Sequence, residues 1–362
     1  MKKGIVSLKY ANGTKDAGEN CPTLVSVLTG CTSKIDLSKQ LKKIEAIAAM
    51  KETEFPDIIS DLSLFSSNSS LYNSIINNFP DFIVSTLPIY QCNNINGLID
   101  PHELLDISQK QIEDGVSMIT VHPTPNKKIM NLAQKRLVPW TSRGGAIVMK
   151  DLITRNFNQD NVYLRNIDSI IQAAKKKKVV ISIGASFRSA NIFDSLDDCQ
   201  IEEFRFQKEI ADYIYERGVQ VIIEGPGHSD PKKISTIAQY YQKMGYPIMP
   251  LGPIPTDTAV GQDHISSSIG AVLLGMHNCV DIVTSVTREE HTGFIPSTQS
   301  SIEAIQAAKI AAHIIDLNKL GSFHKDEVIA QHRAKNQTCV YDKNTSGCSR
   351  CAQQCPLRFE IA

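Results

Sequence analysis

Val179-Val-Ile-Ser-Ile183, the amphipathic stretch Ile201–Arg217 and Val219-Gln-Val-Ile-Ile223 follow one another, with Glu224-Gly-Pro-Gly-His228 directly behind. A short β-branched run, a longer segment of helical period and a second short β-branched run read as strand, crossover helix and parallel strand, both strands buried on two faces. The alternation extends in both directions. It predicts further strands at Asp57–Ser63, Phe82–Thr86, Val116–Val121, Pro247–Leu251 and Val280–Thr284. Helices are predicted at Leu37–Lys51, Pro101–Asp114, Lys128–Arg136, Asn161–Lys176, Pro231–Lys243, His264–Met276 and Thr298–Asn318. Seven or eight such units point to an α/β protein of the (β/α)8, TIM-type barrel class with a C-terminal helical extension and a cysteine-rich tail. An open doubly wound sheet is the alternative, and the lack of a glycine-rich dinucleotide fingerprint behind the early strands weighs against it. The expected organisation is a barrel catalytic domain over 1–297 and a C-terminal helix and tail over 298–362.

The chain has 362 residues, 42% hydrophobic and 21% charged, enough to bury a large core without disulfides. Lys plus Arg and Asp plus Glu both number 38. That balance gives no long-range pull toward nucleic acid or anionic membrane, so any phosphate site must be local. The run Lys175 to Lys178 reads as a solvated helix end. No apolar stretch resembles a signal peptide or approaches the roughly 20 residues of a membrane span, so the expectation is a cytoplasmic protein. In that reducing setting the nine cysteines are not paired as structural disulfides. Cys21, Cys31, Cys92, Cys199, Cys279 and Cys339 are dispersed and read mostly as buried free thiols.

The remaining three stand together in Gly347-Cys348-Ser349-Arg350-Cys351-Ala352-Gln353-Gln354-Cys355-Pro356. Three thiolates at this spacing suit three irons of a [4Fe–4S] cluster and leave the fourth iron open to S-adenosylmethionine. A zinc site completed by a histidine, or a redox pair with a spare thiol, also fits the spacing. Polar residues gather at the predicted strand ends, where barrels carry their chemistry: Tyr90 and Gln91, His122, Arg188, Glu224 to His228, Asp257 and His264, Glu290 and His291. Two histidines at neighbouring strand ends, His228 and His291, suit a divalent metal with open positions; either can equally be a hydrogen-bonded structural residue. Thr141-Ser142-Arg143-Gly144-Gly145-Ala146, at the start of a helical stretch, offers a hydroxyl, a guanidinium and backbone N–H groups to a phosphate or carboxylate.

Glu224-Gly-Pro-Gly-His228, Leu251-Gly-Pro-Ile-Pro-Thr-Asp257, Gly261-Gln-Asp-His264 and Glu290-His-Thr-Gly293, in this order and spacing, resemble the thiamin pyrimidine synthase (phosphomethylpyrimidine synthase) family of radical S-adenosylmethionine enzymes. Pro88-Ile-Tyr-Gln91, His122 and Ser142-Arg-Gly-Gly145 fall where that family has substrate residues. The resemblance implies a radical carbon–carbon lyase of thiamin biosynthesis that rearranges aminoimidazole ribotide to hydroxymethylpyrimidine phosphate through a 5′-deoxyadenosyl radical. It implies cluster ligands Cys348, Cys351 and Cys355, with Glu224 as a further catalytic group. It implies zinc or iron on His228 and His291, and contacts to a phosphoribosyl substrate from Tyr90, His122, Ser142, Arg143, Gly144, Arg188 and Glu224. An external reductant such as flavodoxin or ferredoxin and a homodimer, in which the tail reaches the partner's active site, belong to the same picture.

The sequence departs from the family's pattern at several positions. The tail spacing is C-x2-C-x3-C, one residue short. Ala185, Met249 and Gln262 stand where the family has aspartate, tyrosine and tyrosine, and Ser60 where it has methionine. The phosphate-facing words are kept and the ring-facing ones changed. That leaves open a paralogue acting on the same ribotide, such as a 5-hydroxybenzimidazole synthase, a non-catalytic metal- or ligand-binding relative, and an unrelated zinc hydrolase on a barrel.

Overall fold

In a computed structural model the described residues are 4–33, 36–51, 54–64, 70–341, 350–351 and 354–358. Eight parallel strands form one sheet: β1 Leu24–Thr29, β2 Ile58–Asp61, β3 Ile83–Thr86, β4 Met118–Val121, β5 Val180–Ile183, β6 Val221–His228, β7 Ile248–Ile254 and β8 Ile282–Ser285. Their spatial order follows the chain from β1 to β7, and β8 pairs with β1. The remaining seam lies between β7 and β8, and Asp281 bridges it. Its N–H donates to the Ile248 carbonyl and its carboxylate accepts from the Ile248 N–H, both at 2.9 Å. Lys319 neutralises that carboxylate at 2.6 Å. The sheet is thus a nearly closed TIM-type barrel, as the alternation of strand and helix predicts.

The helices are α1 Leu37–Ala48, α2 Leu71–Asn78, α3 Pro101–Glu113, α4 Lys127–Ala133, α5 Arg143–Thr154, α6 Val162–Lys177, α7 Asp198–Glu216, α8 Ile234–Met244, α9 Asp263–Gly275, α10 Thr298–Leu320 and α11 His324–Lys335. Their starts follow local chemistry. Asp100, Asn126, Asn161 and Asp197 each accept a backbone N–H as caps of α3, α4, α6 and α7. Three lysines in the last turn of α6 meet the negative end of its dipole. α10 packs on α9, β8 and β1 through Ala304, Ile305, Ala308, Ala312 and Ile315, so it is the helix of the eighth barrel unit, although it begins beyond the expected boundary at 297.

The strand alternation sorts the core into two sets. Val25, Val27, Ile59, Val84, Ile119 and Ile181 point outward, under the helices. Leu24, Ile58, Ile83, Met118, Val180, Ile222, Met249 and Ile282 point inward and form the barrel's lowest layer. An antiparallel hairpin, Ile5–Tyr10 with Gly13–Gly18, seals this layer from below with Val6, Leu8 and Ala17. The Ser7 N–H donates to Gln220 at 3.1 Å and pins the hairpin to the sheet. The opposite, C-terminal end of the barrel is open. Among the described residues no helix is long and apolar enough to cross a membrane.

Candidate active site

Two residues past each lowest inward position the side chain points inward again. Those positions hold Ser26, Ser60, Ser85, Thr120, Ser182 and Thr284, with Glu224 on β6 and Leu251 on β7. Ser26, Ser60, Thr120, Thr284, Glu224 and Leu251 among them line the bottom of a cavity of about 350 Å³ that opens at the C-terminal end of the barrel. Tyr90, His122, Ser142, Arg143, Arg188 and Glu224 all line it, as does Glu290. Six of the expected substrate residues therefore meet in one place.

Each is held by an identifiable device. Ser142 is the N-cap of α5 and accepts the Gly145 N–H at 3.2 Å. That capping role goes beyond the hydroxyl donor expected from the sequence. The positive end of the α5 dipole and the exposed Arg143 guanidinium suit an anion locally in a chain of zero net charge. The Arg143 guanidinium stands 5.5 Å from the Tyr90 ring centre. The His122 ring lies between two glycines. A Cβ on Gly144 would fall 2.3 Å from His122 Cε1, and one on Gly184 would fall 2.7 Å from Nε2. Gly144 is required for this close approach, and its backbone N–H hydrogen-bonds Tyr90. Burial, helped by the Arg188 charge, pushes the His122 imidazole down to about 3, so it works as a neutral hydrogen-bonding group.

Glu224 receives Thr120 Oγ1 at 2.9 Å and Ser182 Oγ at 2.8 Å on the same oxygen, Oε1, which leaves Oε2 for a ligand. Burial raises its carboxyl above the ordinary range, against these hydrogen bonds and Arg188. The Glu224–His228 segment is expected as a tight turn. It is instead the extended end of β6, with a register shift between Pro226 and His228. Gly225 and Gly227, at φ +146° and +81°, supply backbone conformations that side-chain-bearing residues rarely adopt. The shift lets the His228 N–H bond the Ser189 carbonyl at 2.9 Å and aims the imidazole across the barrel mouth.

There His228 meets His291, Nε2 to Nε2, at 3.1 Å. His228 Nδ1 lies 2.6 Å from Asp257 Oδ1, and His291 Nδ1 lies 2.6 Å from Asp263 Oδ1. A carboxylate on each Nδ1 keeps a proton there and turns both Nε2 lone pairs toward each other. Facing lone pairs at this separation need a proton or a cation between them. Two imidazoles bound at 2.0–2.1 Å with a tetrahedral angle would stand roughly 3.3 Å apart, so the pair fits a zinc-like ion. Among the described residues no group of three or more His, Cys, Asp and Glu side chains could cage a metal, so such an ion would keep positions for outside ligands. The pair opens on a second cavity of about 350 Å³ walled by Leu137, Phe193 and Val260. Glu290 lines the first cavity and the adjacent His291 the second.

Behind the site, Glu203 of α7 is fully buried. It accepts Thr124 Oγ1 and the Ser186 N–H, both at 2.7 Å, and the Phe187 N–H at 3.0 Å. It thereby ties the segment after His122 to the loop that carries Arg188. Glu203, Asp263 as a histidine partner and the inward hydroxyls are not among the residues expected from the sequence. Period-two spacing of serine and threonine within otherwise β-branched strands was the available signal for the last. His264, expected at the rim, lies on α9, and neither of the two cavities includes it in its lining. In the tail, Cys351 is exposed and Cys355 half-buried, and Cys348 lies outside the described residues.

The model of the Radical SAM ThiC family matches residues 7–360. The chain belongs to that family. Among curated relatives, a phosphomethylpyrimidine synthase from Fusobacterium nucleatum is 29% identical, over 95% of this chain and 84% of its own. Phosphomethylpyrimidine synthases from Clostridium botulinum and Saccharolobus islandicus are 32% and 31% identical, over 83% and 88% of this chain and 69% and 74% of theirs. As a divergent ThiC family member the chain is an enzyme of the radical S-adenosylmethionine type, and the family implies S-adenosylmethionine, an iron–sulfur cluster, a small-molecule substrate and a source of electrons.

Proposed function

We propose that this enzyme acts in thiamin biosynthesis as a carbon–carbon lyase, rearranging aminoimidazole ribotide to hydroxymethylpyrimidine phosphate. One observation carries the reading: an anion site at the start of α5, a neutral histidine and a buried carboxylate line the same cavity, and the His228–His291 pair opens beside it. The anion site takes the phosphate, with the Arg143 guanidinium as donor at the positive end of the α5 dipole and Ser142 holding the helix end in place. Glu224 Oε2 accepts from a substrate hydroxyl or amine, and His122 supplies a hydrogen bond without changing charge. Tyr90 and Arg188 close the sides and fix the orientation. Cys348, Cys351 and Cys355 would hold the [4Fe–4S] cluster, which with S-adenosylmethionine supplies one-electron chemistry for hydrogen abstraction. His228 and His291 would hold a divalent ion, zinc or iron, oriented by Asp257 and Asp263. An external reductant such as flavodoxin or ferredoxin delivers the electron, and a homodimer lets one tail serve the partner's cavity.

A second reading keeps the substrate and changes the product, as in a 5-hydroxybenzimidazole synthase. It is favoured by Ser60 and Met249, both of which line the cavity where the family's pattern has methionine and tyrosine. The test is anaerobic reconstitution of the full chain with iron and sulfide, followed by incubation with aminoimidazole ribotide, S-adenosylmethionine and a reductant. Mass spectrometry should find the pyrimidine phosphate. A benzimidazole would select the second reading, and no cleavage of S-adenosylmethionine would reject both.

A further inference from the structure

Trp140, the chain's one tryptophan, stands in the linker 134–142 that joins α4 to α5 and leads into Ser142 and Arg143. Its ring meets that of Phe187 edge-on, with centroids 6.5 Å apart. Phe187 belongs to a different loop, 184–197 between β5 and α7, which delivers Arg188 to the cavity. Three consecutive residues of the linker clasp the two loops together. Arg136 forks onto Asp197, with Nε at 2.8 Å and Nη2 at 2.7 Å, and its Nη1 donates to the Phe187 carbonyl at 2.6 Å. The Leu137 and Val138 N–H groups donate to the two carboxylate oxygens of Asp194 at 3.0 and 3.1 Å. Neither Arg136 nor Asp194 lines either of the two cavities.

The Arg136 side chain is 1% exposed. A buried guanidinium is a costly way to join two loops, since an apolar pair of similar volume is often as stable or more so. What the guanidinium adds is geometry, because its planar fork sets the direction of every group that it bonds. That direction matters one residue along the chain. The Arg188 side chain leaves the backbone between two planar peptide units, and fixing both planes fixes its φ and ψ. Arg136 holds the first plane through the Phe187 carbonyl. The end of β6 holds the second, where the Ser189 N–H donates to the Pro226 carbonyl at 3.2 Å. We propose that Arg136 is a positioning residue for Arg188 that keeps it in register with Arg143, so that two separate loops present their guanidinium groups to one ligand. Arg136 acts through the Phe187 carbonyl and touches no ligand itself. The assignment rests on the ribotide reading above and adds the device that aligns the two arginines.

The test reads affinity, stability and tryptophan emission together on the full chain. Arg136→Lys keeps the charge opposite Asp197 but has no fork. The pair Arg136→Met with Asp197→Asn removes both charges and keeps the cap of α7, since an asparagine oxygen also accepts the Gln200 N–H. This charge-free pair should unfold in urea near the midpoint of the unsubstituted chain. Both variants should nevertheless bind aminoimidazole ribotide about tenfold more weakly in titration calorimetry. Their Trp140 emission should shift to the red as the linker leaves Phe187. Asp194→Asn weakens the linker's other bonds without touching the guanidinium. It should move both readouts the same way, and it stands in if an Arg136 variant does not fold. Unchanged affinity, affinity that returns with stability in the charge-free pair, or an unshifted emission would overturn the assignment. An unsubstituted chain that binds no ribotide would instead bring down the substrate reading, and this assignment with it.

Discussion

Replacing Glu203 with glutamine turns the tie behind the Arg188 loop into a measurable pH effect. A glutamate in the unfolded chain titrates near 4.5, and burial pushes this carboxyl up to about 7 despite its hydrogen bonds to Thr124, Ser186 and Phe187. Between those two values the folded protein keeps a proton that the unfolded chain has lost, so stability falls as pH rises through the window. Below it both states are protonated, and above it both are ionised. The interval is worth roughly 3 kcal/mol. Glutamine does not titrate, and its shape and acceptor oxygen are similar. The stability of Glu203→Gln relative to the unsubstituted chain should therefore rise by roughly 3 kcal/mol between about pH 4 and about pH 8, with all other groups cancelling in the difference. Urea-unfolding midpoints of the two full-length chains across that range make the measurement. Parallel curves would show that the backbone amides and Arg136 already offset the burial cost, and a gap that closes with rising pH would reverse its sign.

Four further outcomes follow from the geometry. Arg143→Ala removes a charge-assisted donor from the anion site and should weaken ribotide binding about 10- to 150-fold, measured by calorimetry. Asp257→Asn disturbs the orientation and basicity of His228 and should reduce zinc affinity about 10- to 100-fold in equilibrium dialysis; unchanged affinity would remove the pair from the metal assignment. Cys351→Ala should abolish the iron–sulfur absorption of the anaerobically reconstituted chain, and stoichiometric zinc without iron in the unsubstituted protein would reject the cluster. Leu8→Ala, at a side chain with no exposed surface, should cost about 2–5 kcal/mol in urea unfolding if the hairpin is part of the cooperative core.

The barrel was legible because most of its strands are short β-branched runs between amphipathic helices, a pattern few other folds share. The other elements are imposed by their partners. The second hairpin strand, Gly-Thr-Lys-Asp-Ala-Gly, has no apolar alternation and is extended because it pairs with Ile5–Tyr10. Helix α2, Leu-Tyr-Asn-Ser-Ile-Ile-Asn-Asn, is poor in helix formers and is held by Leu71, Tyr72 and Ile75 in the core. β1, Leu-Val-Ser-Val-Leu-Thr, follows that polar strand and carries a hydroxyl, Ser26, in its middle; the burial of five of its six residues is visible only once β8 and β2 flank it. The cavity-lining side chains Tyr90, His122, Arg188 and Glu224 were legible from their places at or beyond strand ends. The hydroxyl floor and Glu203 were not, since a buried serine or glutamate in a sequence looks like any other until the fold shows what surrounds it.

The hairpin beneath the barrel also bears on the order of assembly. It is the earliest described segment to leave the ribosome, yet its docking surface is assembled from strands spread over nearly the whole chain. Even its tie from Ser7 to Gln220 spans 213 residues. Its pairing is local and forms quickly, while its seat waits for β8. Val6 and Leu8 must therefore stay uncovered through most of synthesis and be buried at the end, so closure of the barrel and sealing of its base are one late event. Lesions that slow the β7–β8 seam, such as loss of Asp281, should then show first as aggregation of nascent chains.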